Sequence, residues 1–275
     1  MRCAWQELLN ILPLWVRNDV DKLGKNTLQE LRLRYGLPPG LHLGGSMLLL
    51  QRCVAMDDLH FVVNAASRYS PWTAATLSQG YFTAPGGHRI GVCGEAVIRN
   101  GEMTGIREVS SLCIRIARDI TGIAPPIECG SVLIIGSPGC GKTTLLRDLI
   151  RYRSQLGTGS VAVVDERGEI FPRGFPAGIN TDVLTSCRKS KGIEILLRTM
   201  GPASIAVDEI TAEEDCNALQ QAAWCGVKLL ATAHAANVND LQSRPLYRHL
   251  ISCGVFDTLI VMKPDKSWHQ ERMVV

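Results

Sequence analysis

Long apolar runs are missing from this 275-residue sequence: the longest uninterrupted stretches are a handful of residues, and the N-terminus mixes Gln6, Glu7 and Asn10 into its apolar positions. Neither a bilayer span nor a signal peptide fits that pattern, so any membrane contact is expected to be peripheral. A bias of charge is missing too. The net charge is only +3, so bulk electrostatics announce neither a nucleic-acid coat nor a membrane surface, and partners have to be sought locally. The ten cysteines never form a C-x-x-C pair, and several lie inside apolar runs, which reads as reduced, packed thiols in a cytosolic chain. There is no internal repeat or low-complexity tract. What remains is a chain with 46% hydrophobic content, long enough for two modest cores.

One segment carries a complete chemical motif. Gly136-Ser137-Pro138-Gly139-Cys140-Gly141-Lys142-Thr143 is a G-x-x-x-x-G-K-[ST] phosphate-binding loop, preceded by the apolar run Val132 to Ile135 and opening a helical pattern. Glycines let consecutive N–H groups turn inward around anionic oxygens, and the following helix dipole adds to the attraction. Lys142, Thr143 and Thr144 are then expected at the phosphates of ATP, with Thr143 on Mg²⁺. Residues 145–156 fit the helix, with Leu145, Leu146, Leu149, Ile150 and Leu156 on one face and Arg147, Asp148, Arg151 and Arg153 off it. Cys140 reads as a small packing residue, with a redox switch as the other reading.

Trp5, Leu8, Leu9, Leu12 and Trp15 recur at helical spacing until Pro13 ends or kinks the helix. The stretch lacks the Lys/Arg-rich polar face of a membrane-surface helix and reads as core packing. Leu28 to Tyr35 alternates as a half-buried strand, Gly36 to Gly45 reads as turn, and Asp57 or Asp58 can cap a helix reaching about Tyr69. Arg89–Arg99 and 102–109 form a hairpin around Asn100-Gly101, followed by one more strand through Leu112, Ile114 and Ile116. Ile120 to Gly130, with Pro125-Pro126, reads as a linker, which places a smaller α+β domain over 1–122 and a second domain over 123–275. In the second, apolar runs at 132–135, 160–164, 204–207, 227–231 and 258–262 alternate with helical patterns, as in a parallel sheet buried on both faces. Thr211-x-x-Glu214 reads as a capping box, and the last strands as a hairpin around Pro264-Asp265-Lys266.

Hydrolysis needs a metal-holding carboxylate and a group that deprotonates or orients water, both at strand ends near the loop. Ser204 to Val207 is an apolar strand ending in Asp208 and Glu209; Asp208 reads as the carboxylate that braces Mg²⁺ and Glu209 as catalytic base. Asp165-Glu166-Arg167-Gly168-Glu169 ends the second strand. Glu166 there either touches the metal or the water, or pairs with Arg167. His234, ending Ala231-Thr232-Ala233-His234, is expected near the γ-phosphate as a sensor. Arg107, Arg115, Arg118, Arg167 and Arg198 could serve a neighbouring subunit's nucleotide, and the sequence does not choose among them.

In this order the pieces resemble the stage III sporulation protein AA family, ATPases related to the motors of type II and type IV secretion and pilus systems. The resemblance rests on Glu30 to Arg34 with Gly36 and Pro38, Gly86-Gly87-His88-Arg89-Ile90-Gly91, Ile114-Arg115-Ile116-Ala117, the loop with Thr144-Leu145-Leu146-Arg147-Asp148, Asp165 to Ile170, and Val207-Asp208-Glu209-Ile210. It implies a RecA-like P-loop NTPase fold with an ASCE-type parallel sheet flanked by helices. It also implies a ring hexamer working with sporulation proteins at the mother-cell face of the forespore membranes. Residues 165–169 are similar to the so-called Asp box of the wider motors, and 231–234 to their His box. Those motors usually carry Gly-Glu at the metal strand with an Arg-Asp soon after. Here Asp208-Glu209 stands, with Thr211-Ala212 after Ile210, which leaves Glu166 and Glu209 competing for the base role. A nucleic-acid-dependent motor is the alternative, motivated by the basic run Arg188-Lys189-Ser190-Lys191, a pattern that is usually a solvated face. A third is a scaffold gated by ATP without useful hydrolysis.

Overall fold

The computed structural model describes residues 3–67, 80–172 and 174–273. The chain divides into two compact units at Asp119/Ile120, with Pro172–Gly174 counted to the first.

In the first unit, Pro13 separates α1 (Trp5–Asn10) from α2 (Leu14–Leu23), because proline ends one helix and is tolerated at the start of the next. β1 (Glu30–Arg34) buries Leu31 and Leu33 completely. β2 (Gly40–His42) and β3 (Met47–Leu49) follow, so the segment 36–45 expected as turn contains a strand; at three residues it is too short to leave a periodic signal. α3 (Met56–Ser67) carries Asp57 and Asp58 inside its first turn rather than at its cap. Asp58 reaches back to accept the Ala55 N–H at 2.8 Å. The expected helix end at Tyr69 lies outside the described residues.

β4 (Tyr81–Thr83), β5 (Arg89–Arg99) and β6 (Glu102–Arg115) complete a six-stranded sheet ordered β3-β2-β1-β6-β5-β4. Asn100 and Gly101 have φ of 52° and 80°, the left-handed pair that a two-residue hairpin loop demands. The two strands expected over 102–109 and 112–116 are one. An irregularity carries the ladder through: Glu108 sits at φ 47°, and a Cβ on Gly94 would lie 2.7 Å from the carbonyl oxygens of Arg107 and Glu108, so only glycine fits that crossing. Leu8, Leu12 and Val16 pack with Leu59 and Val62 on the sheet's buried Leu31, Leu33, Ile90 and Ile114. Buried His88 accepts the Ala117 N–H on Nδ1 (3.2 Å), so its other nitrogen carries the proton donated to Ala4 O (3.0 Å). Burial pushes His88 below the ordinary histidine range.

The second unit contains β7 (Val132–Gly136), α4 (Lys142–Gln155), β8 (Val161–Asp165), β9 (Thr181–Thr185), α5 (Lys189–Met200), β10 (Ser204–Val207), α6 (Glu213–Trp224), β11 (Lys228–Ala233), α7 (Val238–Ser243), α8 (Pro245–Ser252), β12 (Thr258–Met262) and β13 (Trp268–Arg272). The sheet is ordered β13-β12-β7-β11-β10-β8-β9, parallel except for the terminal β12–β13 hairpin. All five apolar runs are strands of it. β9 left no such run because it is only half-buried, at the sheet's edge.

Both faces are covered, which explains the unbroken apolar runs. Leu133, Ile135, Ile205 and Val207 face Ile193, Leu196 and Leu219 on one side; Val132, Ile134, Ala206 and Leu230 face Leu145, Leu146 and Leu149 on the other. α4 is buried on its polar side as well. Arg147 donates to the Glu169 and Ile170 carbonyls, Arg151 to Pro176 O at 2.7 Å and Arg153 to Ile127 O at 2.5 Å and Gly130 O at 2.8 Å. Asp148 accepts the N–H groups of Ile123 (2.6 Å) and Ala124 (2.8 Å). The segment read as a linker is therefore fastened to α4 from Ile123 onward. Its prolines and glycines signalled irregular backbone, which is present; they carried no information on what the free carbonyls and amides would bind.

Candidate functional site

The order of the sheet builds the site. β7 delivers the phosphate loop, β10 delivers Asp208 and Glu209, and β11, inserted between them, delivers His234 just past its last residue. β8, on the far side of β10, delivers Asp165 and Glu166. All these groups leave C-terminal strand ends, where open α/β sheets bind ligands.

Gly136 is buried at the end of β7, where a Cβ would lie 2.6 Å from Cys140 Sγ and 2.8 Å from Met262 O. Gly139 and Gly141 have φ of 78° and 102°, which turn the loop's amides around the N-terminus of α4. Ser137 and Pro138 form its exposed rim, and Thr144 is half-buried in the first helical turn. Cys140 is only 2% exposed and belongs to the core with Ile134 and Leu145. It is a packing residue, and the redox reading loses the access that it needs.

Lys142 Nζ donates to Gly136 O (2.9 Å) and Ser137 O (3.0 Å) and lies 3.1 Å from His234 Nδ1. An ammonium only donates, so Nδ1 accepts; Nε2 then bears the proton given to Glu209 Oε1 at 2.7 Å. Burial pulls Lys142 below the usual lysine range, and the charges of Asp208 and Glu209 oppose that shift.

A second network crosses the first. Thr143 donates its hydroxyl to Asp208 Oδ2 at 2.7 Å, and Thr232 donates to Asp208 Oδ1. Thr232 Oγ1 also accepts the Glu209 N–H at 2.7 Å. Fully buried Thr232 thus braces both acids, and it holds Glu209 at φ 53°, unusual for a residue with a side chain. The sequence had shown Thr232 only as part of the Thr-x-His strand end.

The second acidic tip divides its labour. Asp165, 2% exposed, accepts N–H groups from Glu169 (2.8 Å), Ile170 (3.1 Å) and Phe171 (2.8 Å), shaping the turn after β8. Burial raises its carboxyl above the ordinary range, against those amide contacts. Glu166 does not pair with Arg167. Its carboxylate meets Lys189 Nζ at 2.9 Å, and Arg167 instead approaches Glu209 at 3.4 Å. Lys189 is buried and lies 3.7 Å from Asp215, so the basic run is not a solvated face at its central lysine, and Lys191 is paired with Glu194.

Asp215 itself corrects the expected capping box. α6 begins after Ala212, and Asp215 accepts the N–H groups of Thr211 (3.2 Å) and Ala212 (3.3 Å), so the box partner is one residue past Glu214. One signal could have revealed Lys189. Gly192, on the same helical face three residues later, has no room for a Cβ, which would lie 2.5 Å from Val164 Cγ1; that face is pressed onto β8. Of the candidate arginines, Arg107 pairs with Glu95, Arg115 with Glu30 and Arg198 with Glu194, while Arg118 binds the carbonyls of Lys25 and Leu28. Arg167, through its contact with Glu209, lies at the site.

Comparison with known proteins agrees with this architecture. The pattern of the family described as "Sporulation stage III, protein AA" matches residues 4–272. The chain belongs to the stage III sporulation protein AA family. It is 35% identical to stage III sporulation protein AA of Bacillus subtilis (strain 168), across 94% of this chain and 91% of that one. In three dimensions it resembles the ATPase DotB of Legionella pneumophila (TM-score 0.62, 19% identity, 95% of this chain and 80% of that chain). It also resembles the pilus retraction motor PilT, solved with ADP (TM-score 0.62, 15% identity, 90% and 76%). This member of the family therefore carries the RecA-like P-loop α/β fold, with its parallel sheet between helices. Among the described residues no helix is long and apolar enough to cross a membrane.

Proposed function

We propose that this protein is a Mg²⁺-dependent ATPase of spore formation, a relative in mechanism of the secretion and pilus motors. It would assemble as a ring hexamer in the mother-cell cytoplasm and energise a membrane-associated channel or secretion apparatus facing the forespore. One observation carries the chemistry: the loop lysine, the strand-end histidine and Glu209 form one hydrogen-bonded chain, with Thr143 and Asp208 locked together beside it.

The donor set suits a hard cation. A threonine hydroxyl and a carboxylate oxygen at 2.7 Å offer only oxygen, as Mg²⁺ prefers, so Thr143 would hold the ion directly and Asp208 would brace it. Bound there, Mg²⁺ would neutralise charge on the phosphates. The chain's own groups do the rest. Backbone N–H groups of residues 136–144, Pro138 excepted, hold the triphosphate; Lys142 exchanges its carbonyl partners for phosphate oxygens. Glu209 takes the proton of the attacking water, and His234, seated on both Lys142 and Glu209, reports phosphate occupancy to the base.

The test is phosphate release by the purified chain with ATP and Mg²⁺. Lys142→Ala should abolish binding or turnover, whereas Glu209→Gln should bind ATP and fail to split it. Full hydrolysis by the Gln variant would pass the base role to Glu166.

A further inference from the structure

The lysine beneath the two acidic strand tips has no part in the mechanism just described, yet it is one of the few buried cations among the described residues. Lys189 is 6% exposed, opens α5, and is pressed against β8 by the close packing of Gly192 on Val164. Its ammonium contacts Glu166, just past the end of β8, at 2.9 Å and Asp215, in the first turn of α6, at 3.7 Å. Asp215 in turn holds the amides of Thr211 and Ala212, the residues that follow Asp208-Glu209-Ile210 in the chain. A single buried charge therefore connects one acidic tip to the backbone leaving the other.

Taking a lysine out of water is costly unless carboxylates meet it, so the arrangement is held as a unit. Glu166 has its charge committed to a buried partner. Glu209, by contrast, is held by His234 and by Arg167, whose side chains keep 32% and 54% of their exposure and can give way. The two acids that competed for the base role thus differ in what restrains them.

Resting on the ATPase reading, we infer that Lys189 is a positioning residue: it pins Glu166 away from proton chemistry and sets the spacing between the Glu166 and Glu209 tips on which hydrolysis depends. Lys189 acts through the carboxylates that it contacts, those of Glu166 and Asp215.

Steady-state ATP turnover of the full chain, with kcat and KM separated, tests this in Lys189→Met, Glu166→Gln and the double variant. Removing only the cation frees the half-exposed Glu166 carboxylate to move and leaves the buried Asp215 without its counter-charge. Lys189→Met is therefore expected to lose at least about tenfold in kcat with KM for ATP within about threefold, while Glu166→Gln loses less. Neutralising both should restore kcat toward the Glu166→Gln level, the non-additivity that marks a coupled pair. Lys189→Gln, which keeps a donor, serves if the Met variant does not fold, with an intermediate kcat expected. Unchanged kcat in both Lys189 variants overturns the inference, as does a double variant that falls by the product of the single effects. Abolished turnover in Glu166→Gln alone makes Glu166 the base and also overturns it. A wild-type chain that hydrolyses no ATP would instead remove the ATPase reading itself.

Discussion

His234 stands between Lys142 and Glu209, its Nδ1 3.1 Å from the ammonium and its Nε2 2.7 Å from the carboxylate. The relationship follows from strand order. β7 carries the lysine's loop and β10 leads into the glutamate, and β11, lying between them, brings the imidazole to the gap. His234→Ala should therefore separate nucleotide binding from turnover: affinity for ATP stays within a few-fold, while kcat falls on the order of 10-fold or more. Equilibrium binding of a fluorescent ATP analogue alongside phosphate release checks it, and a parallel loss of both would remove the linking role.

Thr232 is the brace common to both acids of β10. Thr232→Val keeps the shape but leaves the Glu209 amide and an Asp208 oxygen without their partner. A loss of about 1–3 kcal/mol in unfolding free energy is expected, together with a higher Mg²⁺ concentration for half-maximal turnover. Denaturant unfolding and a Mg²⁺ titration measure the two effects, and a variant equal to wild type in both would show the hydroxyl to be dispensable.

Asp148 holds the segment entering β7 by two backbone amides from inside the second unit. Asp148→Ala should cost on the order of 2–4 kcal/mol and expose the backbone around Ile123. Hydrogen exchange is the sensitive readout: faster exchange at 123 and 124 is expected, and protection as strong as wild type would contradict the tether.

His88 gives the first unit an acid sensitivity whose sign is fixed by its tautomer. Buried and neutral, it accepts from Ala117 and donates to Ala4, and its folded pKa lies below the ordinary 6.5. Between the folded value and 6.5 the unfolded chain binds more protons than the folded one. The stabilisation is present above 6.5 and is lost as pH falls through the lower folded value. Thermal melts from pH 8 down to pH 5 should show this decline, reduced in His88→Gln; an equally steep decline in the variant would assign it to other groups.

The proposed ring predicts assembly linked to nucleotide. Sedimentation with a non-hydrolysable ATP analogue and Mg²⁺ should shift the wild-type chain to a species about six times its mass, and Lys142→Ala should remain small. A wild-type chain that stays monomeric at all concentrations would refute the ring.

The phosphate loop, the apolar runs of the parallel sheet and the acid pair at 208–209 were legible in the sequence, because each depends on local spacing: glycines where φ must be positive, continuous apolar residues where both faces are covered, and charge at a strand's end. The Asn100-Gly101 turn was legible for the same reason. Partnership was not. Nothing local says that Glu166 pairs with Lys189 rather than Arg167, that Asp148 reaches the segment at 123–124, or that Arg147, Arg151 and Arg153 are buried against carbonyls. Those contacts join residues tens of positions apart, and they exist only because strand order brings their elements together. The sequence by itself determined which motifs stand at the strand ends. The tertiary structure decided which acid is held by a buried cation and which is left to a histidine, because charge pairing is set by distance in space and not along the chain.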